Sequence, residues 1–171
     1  MAESIAFSRT ADRKTLYSEI VPQLDALVTG ETDVIANLAN IAAVLKEALG
    51  FFWVGFYLVK EGELVLGPFQ GPLACTRIKF TEGVCGHCYT TAEAVIVSDV
   101  DAFPGHIACS SAARSEIVVP IFGDKNDVIG VLDVDSDKLN DFGEVDRDGL
   151  EAVAGIVERV IRSHTNSERL E

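Results

Sequence analysis

Apolar residues in this chain recur at helical spacing near both ends and at strand spacing in between. Two stripes predict amphipathic helices, one over about residues 10–28 that ends at Gly30, and one over Asp33–Leu49 that ends at Gly50. A third stripe covers Leu150–Ile161. Because each helix has only one apolar face, all three must bury that face against another layer of structure.

The middle of the chain supplies that layer as short runs typical of β-strands. Glu61-Gly62 predicts a tight turn, and a weak helical turn is predicted over residues 84–94. Mostly hairpin-connected strands predict the α+β class, with an antiparallel sheet and the terminal helices packed on one side. We expect one domain over residues 1–171, with flexible ends at 1–10 and 164–171. The predicted strands are Phe51–Val59, Leu64–Phe69, Cys75–Phe80, Val95–Ser98, Ile117–Phe122 and Val128–Asp135.

Charge and hydropathy exclude several classes of partner. Fourteen basic residues against 27 acidic residues give a net charge of −13, which opposes binding to phosphate backbones and to anionic lipid. We therefore expect no nucleic-acid and no membrane partner. Met1–Arg13 has no signal-peptide pattern, and no apolar run is long enough to cross a bilayer. A cytoplasmic location is expected, where cysteines usually serve as thiols rather than as structural disulfides.

The four cysteines admit three functional interpretations. Cys85, Cys88, His106 and Cys109 have the chemistry of a tetrahedral zinc site, although the chain has enough apolar residues for a core without metal. Cys85-x2-Cys88 also matches a thioredoxin-like motif, but the βαβ setting is missing. In the third interpretation Cys109, within a loop of Pro, Gly and Ser residues, is a nucleophile with a separate resolving cysteine. Buried, inert cysteines are the alternative to all three.

Alternation along the strands predicts a pocket with an aromatic side and an acidic side. Trp53 and Tyr57 share one face of their strand around Gly55, either as core residues or as the walls of a slot. Asp133 and Asp135 share a face near the end of the last strand, and Glu116 opens the strand expected beside it. Unless they are solvated, such like charges require a cation or a proton held at a raised pKa.

Taken together, these residues resemble the free methionine-(R)-sulfoxide reductases, which are single-domain enzymes of the GAF fold. The similarity spans about residues 35–160 and includes the three cysteines of the family in order. GAF domains that bind cyclic nucleotides or chromophores lack this cysteine set. The matching segments are 37–40, 52–57, 67–71, 74–78, 83–86, 104–109, 115–120 and 130–136.

The resemblance implies a six-stranded antiparallel sheet, a homodimer and a thiol mechanism. Cys109 would attack the sulfur of free methionine sulfoxide, release methionine and become a sulfenic acid. Cys75 would then form a disulfide with Cys109, with Cys85 as an alternative resolving cysteine. Thioredoxin, recharged from NADPH by its reductase, would restore the thiols, so no bound cofactor and no metal is expected.

The resemblance also assigns roles to the pocket residues. Glu116 and Asp135 would protonate or hydrogen-bond the sulfoxide oxygen, and Asp133 would help to bind the substrate ammonium. Trp53 and Tyr57 would wall the S-methyl pocket. A site that ligates both the free amine and the free carboxylate would exclude peptide-bound methionine sulfoxide.

Two positions depart from the family pattern. His87-Cys88 replaces small residues other than cysteine, and Ser110 stands where an acidic residue is common. The first departure favours the zinc-stabilised domain slightly. A GAF module for small-ligand sensing is the other alternative, although sensors are usually tethered to an output domain. The sequence leaves open whether Cys75 or Cys85 resolves the sulfenic acid.

Overall fold

Four helices and six strands form this α+β chain. The structure, a computed structural model, describes residues 4–106 and 112–168, with side chains described as far as His164. In chain order the elements are α1 (Arg13–Leu27), α2 (Val34–Leu49), β1 (Trp53–Lys60), β2 (Glu63–Gln70), β3 (Arg77–Ile78), α3 (Gly83–Thr91), β4 (Val95–Val97), a 3₁₀ turn (Val100–Ala102), β5 (Ser115–Phe122), β6 (Val128–Ser136) and α4 (Glu144–Glu168).

Side-chain caps set the starts of the first two helices. Asp12 accepts a hydrogen bond of 2.8 Å from the Thr15 N–H, and Asp33 accepts one of 2.8 Å from the Ala36 N–H. The predicted end of α2 at Gly50 is confirmed, because that residue adopts a left-handed conformation with φ 69°. The predicted end of α1 at Gly30 is wrong, since the helix ends at Leu27 and Val28 caps it in right-handed geometry.

The sheet is antiparallel with the strand order β3-β2-β1-β6-β5-β4. The pairings of β6 place it between β1 and β5, in the centre of the sheet. Glu61 and Gly62, both at positive φ (53° and 83°), form the predicted turn between β1 and β2. The antiparallel α+β prediction and its six strands are confirmed.

One predicted strand is much shorter than expected. The run Cys75–Phe80 contributes only Arg77–Ile78 to the sheet, at its edge. The Cys75 carbonyl instead accepts a hydrogen bond from the Tyr57 hydroxyl, so this part of the run is a loop held over the sheet. The helical turn predicted over residues 84–94 is confirmed as α3, which ends where Ala92 turns left-handed at φ 56°.

Two apolar cores lie on opposite faces of the sheet. The larger one packs α1, α2 and α4 against side chains such as Val54 and Phe56 of β1, which confirms the helices on one side. The smaller one lies under α3 and contains Trp53 and Tyr57 from the other face of β1. The polar pocket described below opens within this second core.

No helix within residues 4–106 and 112–168 combines the length and hydropathy needed to span a bilayer.

Of the ends expected to be flexible, residues 1–3 and 169–171 lie outside the described residues. The Ser8 hydroxyl donates a 2.7 Å hydrogen bond to Glu19, and Ile5 packs against the larger core. Flexibility of the ends stays a prediction.

Candidate active site

A small pocket separates the sheet from α3 and the loop that precedes β3. Its cavity volume is about 40 Å³, enough for one or a few small atoms but not for a whole amino acid. Among the residues described, its lining contains three carboxylates and a thiol but neither lysine nor arginine. The lining includes the side chains of Trp53, Tyr57, Leu73, Cys85, His106, Ala113, Glu116, Asp133 and Asp135.

Strand register brings the three carboxylates together. Asp135 of β6 pairs with Trp53 on one side and with Glu116 of β5 on the other. Asp133, two residues earlier, pairs with Gly55 and Val118. The predicted shared face of Asp133 and Asp135 is therefore confirmed, and Glu116 joins it. Glu116 and Asp133 keep only 6% and 7% of their surface exposed, so these residues are not a solvated strand end.

Burial raises the pKa values of these three carboxyl groups and so favours their protonated forms. Loss of hydration, followed by repulsion from Asp133 and Asp135, raises the pKa of Glu116 well above its usual range. Burial and the Asp133 charge raise the pKa of Asp135 as well. Burial raises the pKa of Asp133 to about 7, although hydrogen bonds from Cys85 and Glu116 oppose the shift. The prediction that clustering raises at least one carboxyl pKa is confirmed.

The aromatic side of the pocket holds the loop that carries Cys75. Trp53 Nε1 donates a hydrogen bond of 3.1 Å to the Pro72 carbonyl, and the Tyr57 hydroxyl donates one of 3.0 Å to the Cys75 carbonyl. The Trp53 ring fills the space that Gly55 leaves, because a Cβ built on Gly55 would lie 2.5 Å from that ring. The gap at Gly55 is thus closed by the tryptophan itself.

The described cysteines differ in their chemistry. Cys75 is half-buried and disulfide-bonded, whereas Cys85 and Cys88 are buried free thiols. Burial, and next the Asp133 charge, raise the pKa of Cys85 well above its usual range, and the same two causes raise the pKa of Cys88. Neither buried group therefore ionises readily at neutral pH. Cys109, the predicted nucleophile, lies outside the described residues.

The zinc ligands suggested by sequence do not assemble as proposed within the described residues. Cys85 instead groups with Glu116 and Asp133, and neither Cys88 nor His106 belongs to that group. The Cys88 thiol lies 3.7 Å from the Val118 carbonyl, with which it hydrogen-bonds. The structure therefore separates the two cysteines of the C-x2-C motif into different surroundings.

Sequence reasoning missed Leu73 and Ala113, which are among the described residues that line the pocket, and it considered His106 only as a possible zinc ligand. Leu73 is 89% exposed although it lines the pocket, whereas Ala113 is buried. One local signal was present in Gly71-Pro72, because Gly71 sits at φ 147° against the Trp53 ring, where a Cβ would be 2.5 Å away. A glycine beside a proline after a strand predicts a loop, but only the folded chain identifies the contact.

Comparisons with known proteins agree with this geometry. The family model described as GAF domain matches residues 29–162. The chain is 56% identical to GAF domain-containing protein A of Dictyostelium discoideum, over 85% of this chain and 92% of that protein. It is 42% identical to the free methionine-R-sulfoxide reductase of Escherichia coli, over 88% of this chain and 91% of that one.

A solved structure gives the same result. The X-ray structure of the free methionine-R-sulfoxide reductase of Neisseria meningitidis, in complex with its substrate, superimposes with a TM-score of 0.93. The two chains are 54% identical, and the match covers 96% of this chain and 98% of the other.

Proposed function

Because this chain belongs to the GAF-domain family and, within it, to the free methionine-R-sulfoxide reductases, we propose that it reduces free methionine (R)-sulfoxide to methionine. The proposal rests mainly on three carboxyl groups with raised pKa values, those of Glu116, Asp133 and Asp135. They share one pocket with the aromatic rings of Trp53 and Tyr57. A GAF sensing module without chemistry is less supported, because relatives named as reductases match over about nine-tenths of their length.

The first step transfers the sulfoxide oxygen to a cysteine. The Cys109 thiolate attacks the substrate sulfur while a carboxyl group of the pocket protonates the oxygen. The bond formed between the Cys109 sulfur and the substrate sulfur then breaks as the oxygen passes to Cys109, so the substrate S–O bond is lost, methionine leaves, and Cys109 becomes a sulfenic acid. Glu116 and Asp135 are suited to donate the proton, since burial raises the pKa of both carboxyls well above the usual range.

Protonation of the pocket carboxyls also makes it easier for a thiolate to form at Cys109. Three ionised carboxylates would oppose formation of a thiolate at Cys109, but protonated carboxyls carry no charge. Burial raises the pKa of Asp133 to about 7, so this carboxyl can ionise near neutral pH and is suited to the substrate ammonium. The aromatic wall formed by Trp53 and Tyr57 offers an apolar contact for the S-methyl group.

The second step forms a disulfide and releases water. We assign Cys75 as the resolving cysteine, because it is disulfide-bonded on a half-buried loop. Cys85 is less suited to the role, since its thiol is buried and hydrogen-bonds Asp133. A thioredoxin dithiol then supplies two electrons and two protons and returns both cysteines to thiols. We also propose a cytoplasmic homodimer, as the family resemblance implies.

The decisive assay is NADPH oxidation coupled through thioredoxin reductase and thioredoxin. We expect turnover with the free R epimer and none with the free S epimer or with peptide-bound methionine sulfoxide. Cys109→Ser should lower kcat by about 10³-fold or more, because the nucleophile is lost. Cys88→Ser is the matched control and should retain activity, since that thiol contacts the Val118 carbonyl.

A single-turnover experiment separates the two chemical steps. Cys75→Ser should release about one equivalent of methionine per chain and leave a sulfenic acid that dimedone traps. Equal activity on the peptide substrate, or full activity in Cys109→Ser, would contradict the proposed function. Full thioredoxin-dependent turnover in Cys75→Ser would contradict only the assignment of the resolving cysteine.

A further inference from the structure

Three potential metal ligands from three different elements meet at the bottom of the pocket. The sulfur of Cys85 in α3 and one carboxylate oxygen each of Glu116 in β5 and Asp133 in β6 all lie within 4.8 Å of one another. All three residues are buried, with 3%, 6% and 7% of their surface exposed. The Cys85 thiol is free rather than disulfide-bonded.

One buried oxygen of this group has no hydrogen-bond partner. Asp133 Oδ1 is buried and accepts no hydrogen bond, one of only three such side-chain atoms in the described part of the chain. Leaving a carboxylate oxygen buried without a partner is unfavourable, and a cation would relieve it. Among the described lining residues no lysine or arginine is available for that purpose.

The donor set selects the class of cation. Metal binding would release the Cys85 proton to solvent, and a thiolate with two carboxylates favours a borderline ion such as Zn²⁺ over Mg²⁺ or Ca²⁺, which prefer oxygen ligands alone. Zinc distances of about 2.3 Å to sulfur and about 2.0–2.2 Å to oxygen require the ligand atoms to lie about 3.5 Å apart. Ligand atoms within 4.8 Å reach this spacing with small side-chain movements. The cavity of about 40 Å³ has room for one ion and a water.

We propose that the substrate-free pocket binds one Zn²⁺ ion through Cys85, Glu116 and Asp133, with water as the fourth ligand, and that this ion competes with the substrate. The ion is an inhibitor and not a resident cofactor. The site differs from the zinc site suggested by sequence, because it keeps only Cys85 and uses two strand carboxylates and a water in place of Cys88, His106 and Cys109. Only the competition rests on the proposed function, whereas the metal site stands on its own geometry.

Cobalt reports on the proposed ligands directly. Oxidised protein, in which Cys75 is disulfide-bonded, is titrated with Co²⁺, and the near-ultraviolet sulfur-to-cobalt charge-transfer band is recorded. We expect one equivalent per chain, with the band lost in Cys85→Ser and retained in the matched control Cys88→Ser. Zn²⁺ should displace the cobalt and remove the band. Absence of the band in the wild-type protein, or its survival in Cys85→Ser, would overturn the site.

A second variant tests the site independently, in case Cys85→Ser does not fold. Asp133→Asn keeps the thiol and the volume of the side chain but weakens one ligand, so its Kd for Zn²⁺ should rise at least about tenfold. Circular dichroism checks that each variant is folded. An unchanged Kd in folded Asp133→Asn would exclude Asp133 as a ligand and overturn the proposed set.

Competition is tested by titrating Zn²⁺ in the presence of each free methionine sulfoxide epimer. The epimers share the same amine and carboxylate, so direct chelation of zinc by the ligand is equal for both. We expect only the R epimer to raise the apparent Kd for Zn²⁺. If the coupled assay shows no reduction but the cobalt band depends on Cys85, the proposed function fails and the metal site remains. Equal effects of the two epimers would overturn the competition.

Discussion

At the scale of single residues, burial decides what each acidic side chain of the pocket can do. Glu116 is the second residue of β5, yet it is only 6% exposed and hydrogen-bonds Asp133. Its raised pKa follows first from lost hydration and then from two neighbouring carboxylates. A carboxyl kept protonated near neutral pH is what proton donation to a sulfoxide oxygen requires.

Glu116→Gln should lower kcat for the free R epimer by about 10²–10⁴-fold, because the amide keeps the shape but donates no acidic proton. KM should change much less, since binding of the S-methyl group and of the ammonium does not use this proton. The measurement is the coupled NADPH assay across substrate concentrations. Glu93→Gln, at an exposed position, is the matched control. A kcat within about threefold of wild type would remove Glu116 from the proton-donor role.

At the scale of elements, β1 contributes side chains to both apolar cores. Val54 and Phe56 face the larger core, while Trp53 and Tyr57 face the pocket. Trp53 stacks on Phe69 with ring centroids 5.4 Å apart, an arrangement that depends on the missing side chain at position 55. The strand therefore positions the Cys75 loop through ring packing as well as through hydrogen bonds.

Gly55→Ala should destabilise the protein by about 1–3 kcal/mol, because the new Cβ would lie 2.4 Å from Phe69 Cβ and 2.5 Å from the Trp53 ring. The same change at Gly155 in α4 meets no atom within 4 Å and should stabilise the helix by about 0.5–1 kcal/mol. Urea unfolding followed by fluorescence of the single tryptophan measures both variants. Equal stabilities of the two variants would contradict the close packing of Trp53.

At the scale of the whole molecule, Arg13 ties α1 to the start of α4 and to the chain that follows β6. Its guanidinium forms ion pairs with Asp141 at 2.9 Å and with Asp146 at 3.1 Å. The Arg13 guanidinium also stacks over the rings of Phe51 and Phe142. Asp146 is only 3% exposed, and Arg13 is its ion-pair partner.

Arg13→Ala should lower the free energy of unfolding by about 2–4 kcal/mol, since the buried Asp146 carboxylate keeps its hydrogen bonds from Tyr17 and Gly143 but loses its cationic partner. Arg9→Ala is the matched control, because its ion pair with Glu47 is exposed and is expected to contribute less than about 1 kcal/mol. Chemical denaturation of both variants provides the test. A loss at Arg13 no larger than that at Arg9 would contradict the role of this network.

Much of the fold was predictable because it depends on local patterns. Helical and strand periodicity predicted the elements, and the cap residues Asp33 and Gly50 set the ends of α2. Alternation placed Asp133 and Asp135 on one face before any pairing was known. These features depend on neighbours a few residues away, which the sequence contains in full.

Only the tertiary structure decided how those faces meet. Strand register placed Glu116 beside Asp135, and burial under α3 raised the carboxyl pKa values. Helix orientation directed Cys85 toward the acids and Cys88 toward the Val118 carbonyl, although both belong to one motif. Such outcomes depend on desolvation and on contacts between distant segments, which no local pattern contains. The sequence by itself therefore determined the elements and their faces, while the fold determined the chemistry of the pocket.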